Sequence, residues 1–196
     1  SGNGTSVVTG RDLAGVGPNA GSNDDTVTAI GGLVGYNTGA IVASHAKVTV
    51  NATSGDQTSL GHGQAGGIGG LVGVHVSGSI GGSYAAGAVN GLADVGGFAG
   101  YTASSMSANY ARGEVNAGVA SAGVGGFVGH FDNPGNLPGL LSANFWDTTT
   151  SRQATSGGQL ADEVTGMTTA QMQTAANFKL PTAANGAGVM PVTSSA

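Results

Sequence analysis

Cysteine is absent from this 196-residue chain, which excludes disulfides, thiolate metal sites and a cysteine nucleophile. Basic residues are scarce: five Lys and Arg stand against ten Asp and Glu, for a net charge of −5. Nucleic acid and anionic membrane surfaces call for clustered positive charge, so neither is an expected partner. No apolar run approaches the roughly 20 residues that a spanning helix needs, so membrane insertion is not expected either. The chain opens Ser1-Gly2-Asn3, without an initiator Met or a signal peptide, as a processed form or an excised piece does. Zero cysteine fits export through a Gram-negative envelope.

Glycine is abundant instead, at 39 residues, while charged residues make up only 8%. Such a composition fits a linker until the apolar residues are placed. They form 39% of the chain and recur at fixed positions, which a linker has no reason to do. The glycines therefore read as structural, set where coils approach closely or turn sharply.

One hexapeptide carries the regularity. It reads Ile30-Gly31-Gly32-Leu33-Val34-Gly35, then Ile68-Gly69-Gly70-Leu71-Val72-Gly73. It returns as Val95-Gly96-Gly97-Phe98-Ala99-Gly100 and Val124-Gly125-Gly126-Phe127-Val128-Gly129. The glycine pairs lie 38, 27 and 29 residues apart. A repeat of 20 to 50 residues is the signature of stacked, quasi-one-dimensional folds.

A second segment follows each hexapeptide, beginning at Ile41, Ile80, Met106 and Leu141. Aligned on the glycines, equivalent positions are chemically alike. Ile30, Ile68, Val95 and Val124 form one apolar row, and Leu33, Leu71, Phe98 and Phe127 another. Ile41, Ile80, Met106 and Leu141 form a third, and Val50, Val89 and Val115 a fourth. Ser44, Ser83, Asn109 and Asn144 make a hydroxyl and amide row, beside an aromatic row of His45, Tyr84, Tyr110 and Phe145. Like standing on like at about 4.8 Å is what a parallel β-solenoid requires. Polar rows can then hydrogen-bond along the axis instead of leaving buried groups unpaired.

The predicted fold is all-β: a parallel β-solenoid of four to five coils, 27–38 residues each, with a short C-terminal capping helix. Residues 1–29 read as a partial coil or cap, with Val7-Val8 and Val27 as strand candidates. Residues 30–147 hold the repeats, 148–180 a closing segment, and 181–196 a linker or loosely held strand. The helix is placed near 168–177, because Thr168 to Gln171 has capping-box spacing ahead of Met172, Ala175, Ala176 and Phe178. Insertions at Asn51–Gly67 and His130–Leu140 read as surface loops.

No catalytic constellation emerges. Gly61-x-Gly63-x-x-Gly66 has the letters of a dinucleotide fingerprint but no strand–helix unit after it, in a chain where glycine alone produces such matches. His45, His62, His75 and His130 lack metal-ligand spacing. His45 belongs to the aromatic row, so packing is its expected role, while His62 and His130 are expected to be solvated. Asn23-Asp24-Asp25 and Asp162-Glu163 have no calcium-loop pattern and read as solvated, although calcium at Asn23-Asp24-Asp25 stays open. Asp94, Glu114 and Asp132 fall at different coil positions and are not expected to converge as a hydrolase pair. No metal and no cofactor are expected.

The Gly-Leu-Val-Gly core followed by Ser83-Tyr84-Ala85-Ala86-Gly87-Ala88-Val89 or Asn109-Tyr110-Ala111-Arg112-Gly113-Glu114-Val115 resembles the GLUG motif of large bacterial surface proteins. Those include filamentous-haemagglutinin-like and autotransporter-type adhesins and non-catalytic regions of IgA-specific metalloproteases. Asn144 to Ser151 and Gly166 to Met172 are similar to the segment that closes such arrays, so the resemblance spans roughly residues 30–178. The first coil departs from it, with His45 for the aromatic residue and Val48 for glycine. The resemblance implies a secreted, cell-surface, extended adhesive or spacer function, and it transfers no catalytic residue. Four or five coils at about 4.8 Å each are short for a stalk. The expected role is a non-enzymatic structural and adhesive module, acting as stalk, spacer or filament subunit that stacks on itself end to end through its open coil edges. The alternative is a module binding carbohydrate or a host surface protein through the two insertions, with Tyr36, Tyr101 and His130 as stacking groups.

Overall fold

The structure, a computed structural model, describes residues 6–10, 29–52, 67–92, 94–118, 123–133, 139–157 and 163–178. Each complete coil is five short strands. The first has β2 (Ala29–Gly31), β3 (Val34–Asn37), β4 (Ala40–Val42), β5 (His45–Ala46) and β6 (Thr49–Ala52), preceded by β1 (Val7–Gly10). The second has β7 (Gly67–Gly69), β8 (Val72–His75), β9 (Ser79–Gly81), β10 (Tyr84–Ala85) and β11 (Val89–Gly91). The third has β12 (Val95–Gly96), β13 (Ala99–Thr102), β14 (Ser105–Ser107), β15 (Tyr110–Ala111) and β16 (Val115–Ala117). The fourth has β17 (Val124–Gly125), β18 (Val128–Phe131), β19 (Leu141–Ser142) and β20 (Asn144–Asp147), and β21 (Val164–Met167) follows.

The strands stack into five parallel sheets, in the orders β2-β7-β12-β17, β3-β8-β13-β18, β4-β9-β14-β19, β5-β10-β15-β20-β21 and β1-β6-β11-β16. This is the predicted parallel β-solenoid. The aligned rows meet as partners: Ile68 on Val95, Ile80 on Met106, Val89 on Val115 and Tyr84 on Tyr110. Val7-Val8 do supply a strand, β1, in register with Thr49 and Val50. Val27, the 181–196 segment and most of the Asn51–Gly67 insertion lie outside the described residues.

Two apolar columns run along the axis. The larger holds Leu71, Phe98 and Phe127 with Ile80, Met106 and Leu141; the smaller holds Ile30, Ile68 and Val95 against Val50, Val89 and Val115. The hexapeptide bends between them, and here glycine is required for space. A Cβ on Gly70 would run into the Gly97 carbonyl and the Ala85 methyl group. A Cβ on Gly100 would strike the main chain of Gly67 and Ile68 in the preceding coil. A second corner uses left-handed backbone. Ala43, Gly82, Ala108 and Ala143, each just before the Ser/Asn row, have φ of 49°, 60°, 56° and 53°.

The C-terminal end differs from expectation. The predicted helix forms as α2 (Thr169–Met172), with the full Thr168/Gln171 capping box, and then tightens into a 3₁₀ turn at Ala175–Asn177. Ala175 and Ala176 are exposed, and of the expected apolar face Phe178 reaches the last coil, edge-on to Phe145. The rest of the closure is made by strand-like segments. β21 pairs with β20 from Asn144↔Val164 to Asp147↔Met167. The Ser156 carbonyl accepts from the Phe127 and Val128 N–H groups, as the Phe127 carbonyl does from Phe98 and Ala99 one coil earlier. Between these rungs, α1 (Thr148–Ser151) is capped by the Asp147 carboxylate.

Candidate functional site

The innermost polar feature is the predicted hydroxyl and amide row. Each member lies beside a left-handed residue. The side chains of Ser83, Asn109 and Asn144 point back along the axis at the preceding rung, while the Ser44 hydroxyl donates to the Val42 carbonyl of its own coil. Ser44 N–H donates to Ser83 Oγ at 3.1 Å, Ser83 N–H to Asn109 Oδ1 at 2.9 Å and Asn109 N–H to Asn144 Oδ1 at 3.1 Å. The Asn109 amide also donates to the Ile80 carbonyl, and the Asn144 amide to the Met106 carbonyl. Ser83, Asn109 and Asn144 are buried with all of these groups satisfied. The row works as an internal clasp.

The aromatic row stands on the outer surface of the same corner. His45 and Tyr84 stack at 4.9 Å and 6°, Tyr84 and Tyr110 at 4.9 Å and 3°. Phe145 is the next rung, and Phe178 closes it edge-on at 5.1 Å. The Lys47 ammonium sits 5.6 Å from the Tyr84 ring centre, in cation–π range. Burial holds the Tyr110 phenol above its ordinary pKa, with Tyr84 adding to the shift. His45 takes the stacking role expected of it, on an exposed face.

Tyr36, Tyr101 and His130 occupy one row of the second sheet, Tyr36↔Val74↔Tyr101↔His130. The structure brings the last two together: Tyr101 and His130 stack at 5.4 Å and 4°. Tyr36, separated by the Val74 rung, is half-exposed. His130 and Phe131 belong to β18, which corrects the placement of His130 in a surface loop; the hexapeptide strand simply continues two residues further.

Two carboxylates join this patch, against the expectation that they stay apart. The Tyr101 hydroxyl donates to Asp132 Oδ2 at 2.8 Å, and Asp94 Oδ1 lies 3.9 Å from His130 Nδ1. Convergence arises because each hexapeptide doubles back, setting the start of one coil's first strand beside the second strand of the next coil. Asp94 has φ of 46°, which aims its carboxyl across that gap. Burial raises its pKa to about 6, with His130 pulling the other way. Burial, Asp132 and Asp94 together hold the Tyr101 phenol well above its usual value. Glu114 lies elsewhere, 2.7 Å from Arg152.

Two further rows went unrecognised in the sequence, and both recur at fixed offsets. Asn37, His75 and Thr102 each follow the last hexapeptide glycine by two residues and form a buried polar rung set. Asn51, Asn90 and Asn116 each follow the valine of the fourth apolar row by one. Asn90 donates to Asn51 at 2.6 Å and Asn116 to Asn90 at 2.9 Å, an outward asparagine ladder. Among the described residues, no group of three or more His, Asp or Glu is placed to hold a metal ion, and no helix is long and apolar enough to cross a membrane. Asn23-Asp24-Asp25 lies outside the described residues. No family model matches the chain, and neither a curated protein nor a solved structure does.

Proposed function

We propose that this chain is a non-enzymatic structural module of an exported bacterial surface protein, of the GLUG-motif kind, acting as a stalk, spacer or stacking subunit. The observation that carries this reading is the unbroken set of axial rows in a short stack whose two ends differ. Among the described residues, β2, β3, β4 and β5 have a partner on one side only, while β1 already occupies the next rung over β6. Leu33, first in its apolar row, is 47% exposed, whereas Leu71, Phe98 and Phe127 are fully buried. Unpaired parallel edges beside a half-exposed leucine are suited to receive a further coil of the same kind.

Electron microscopy in negative stain, with light scattering over a concentration series, tests this. Rods or defined oligomers that lengthen with concentration support self-stacking through the first-coil edge. Discrete monomers at every concentration would remove the stacking-subunit role and leave the spacer role to be judged in a longer chain.

A second reading is a carbohydrate or host-surface binding module, favoured by the Tyr101–His130–Asp132–Asp94 patch. Aromatic faces beside carboxylates suit sugar C–H groups and hydroxyls. Glycan-array binding that disappears in Tyr101→Ala and His130→Ala supports it; binding unchanged by both substitutions removes that assignment.

A further inference from the structure

His75 is fully buried, and its two ring nitrogens have different partners. Nδ1 lies 2.9 Å from Asn37 Nδ2, and Nε2 lies 3.4 Å from the Ser105 carbonyl. The orientation of the Asn37 amide is set by Gly39: Nδ2 donates to the Gly39 carbonyl at 2.9 Å while Oδ1 accepts from the Gly39 N–H at 3.3 Å. A flipped amide would lose both bonds. Asn37 therefore presents a donor to the ring, so Nδ1 must be the bare, accepting nitrogen and Nε2 carries the hydrogen. The neutral ring fits this site, and a proton on Nδ1 would set two donors against each other.

The position of the pair gives this a consequence. Asn37 ends β3 in the first coil and His75 ends β8 in the second, beside the Val76 N–H that donates to the Asn37 carbonyl. The groups facing the ring from neighbouring elements are Asn37 of β3, Thr102 of β13 and the Ser105 carbonyl of β14. None of them titrates, so among the described residues no carboxylate is placed to stabilise an imidazolium. Burial lowers the His75 pKa, against the raising pull of the Ser105 and Asn37 main chains.

We propose that the Asn37–His75 contact is an acid-sensitive latch between the first and second coils, closed while the imidazole is neutral and opened by its protonation. The sign follows from linkage. A buried histidine with a lowered pKa binds its proton less readily folded than unfolded, so the seam loses stability as pH falls below the ordinary imidazole value. Opening frees β3 and the neighbouring strands of the first coil, which among the described residues are held from one side only. Protonation would thus loosen the edge of the stack and leave the third and fourth coils in place. The latch stands whether or not that edge is used for stacking.

Hydrogen exchange on the full chain between about pH 7.5 and pH 5, corrected for intrinsic rates, tests it. The Val34 and Val76 amides bridge the β3–β8 seam, and Ala99 and Asp132 bridge β13–β18 as controls. The expected result is a fall in protection of about tenfold at the first pair in acid, with little change at the second. In His75→Gln, whose side-chain oxygen still accepts from Asn37 and takes no proton, the acid loss should vanish. Equal protection at both seams at all pH values, or an undiminished acid loss in the variant, overturns the latch. Ring ¹⁵N shifts of the unaltered chain decide the matter independently should the variant fold poorly. An Nε2–H tautomer that protonates in step with β3 release supports the latch, and a ring that protonates while β3–β8 stays protected removes it.

Discussion

The side-chain oxygen of Asn144 accepts both the main-chain N–H and the side-chain amide of Asn109, at 3.1 and 3.0 Å, in a fully buried site. Asn144 in turn donates to the Met106 carbonyl at 2.8 Å. One side chain thus serves three polar groups on the preceding coil, all without access to water. Ser83 takes the same place two turns earlier with a single hydroxyl, which accepts from the Ser44 N–H. The amide rung therefore holds the two coils together more firmly than a hydroxyl rung does.

Replacing Asn144 with Ala strands two donors and an acceptor, and should cost about 3 kcal/mol at a site that cannot admit water readily. Asn144→Ser keeps an acceptor for the Asn109 N–H, as Ser83 does for Ser44, and should cost about half as much. Denaturant midpoints at unchanged slope would rank the variants in that order. Equal effects of Ala and Ser would show that a hydroxyl does not replace the amide oxygen as acceptor for the Asn109 N–H, and an unaffected Asn144→Ser would show that the amide's second and third bonds contribute nothing.

Glycine has two distinct reasons to be here, and substitution separates them. Gly70 has no room for a Cβ, since the Gly97 carbonyl and the Ala85 methyl group occupy the space, so Gly70→Ala should destabilise by about 3 kcal/mol through forced backbone shifts. Gly82 has left-handed backbone but open surroundings, with only the Ala43 nitrogen at 4.0 Å. Its equivalents in three other coils are alanines at the same φ. Gly82→Ala should cost about 1 kcal/mol, and Ala108→Gly should return a similar amount. Thermal midpoints on all three variants would show Gly70 far apart from the other two.

The rows were legible in the sequence because solenoid stacking repeats each chemical environment once per coil. Ile41, Ile80, Met106 and Leu141 had to be apolar for one reason, and one alignment found them all. What escaped was either not repeated or not apolar. Thr155 and Ser156 form a fifth rung beneath Phe127 through their main-chain carbonyls, so their side chains carry no trace of the pattern. β21 was masked by the stronger capping-box signal just after it, which marks only a single turn of helix. The approach of Asp94 to His130 could not be read from coil position, because it depends on where the doubled-back hexapeptide places the next strand. His75 sat in plain view at a constant offset from glycine, but its row of Asn, His, Thr and Phe shares no chemistry.

Asp94 should make the fold less stable at neutral pH than in mild acid. Its carboxyl is held at about 6, raised chiefly by burial, so the folded chain binds that proton more tightly than the unfolded chain. The contribution is therefore present at low pH and is lost as pH rises from the ordinary carboxylate range through about 6. Asp94→Asn removes the ionisation and retains a residue tolerant of left-handed backbone. It should raise stability by about 1–2 kcal/mol near neutral pH and change little in acid. Urea midpoints at several pH values would reveal the convergence. A variant destabilised near neutral pH but not in acid would mean that the His130 contact outweighs the burial of the charge.

Closure of the C-terminal end can be followed through the single tryptophan. Trp146 lies under β21 with its ring over Gly126 and its Nε1–H donating to the Gln153 carbonyl at 3.1 Å, and it is 6% exposed. Its neighbour Phe145 is covered edge-on by Phe178. Phe178→Ala removes one edge-to-face pair and part of the cover of Phe145, a loss of about 1 kcal/mol plus the exposed ring area. β21 remains paired along Asn144 to Asp147, so Trp146 should keep its buried emission in this variant. Val164→Asp acts one layer deeper, because Val164 is buried in the larger apolar column on the Asn144 rung. An unpaired carboxylate there should release β21, shift Trp146 emission to the red and expose the edge of the fourth coil. Emission spectra and light scattering would separate the two cases. Red-shifted emission in Phe178→Ala as well would make the tail, rather than β21, the element that seals the stack.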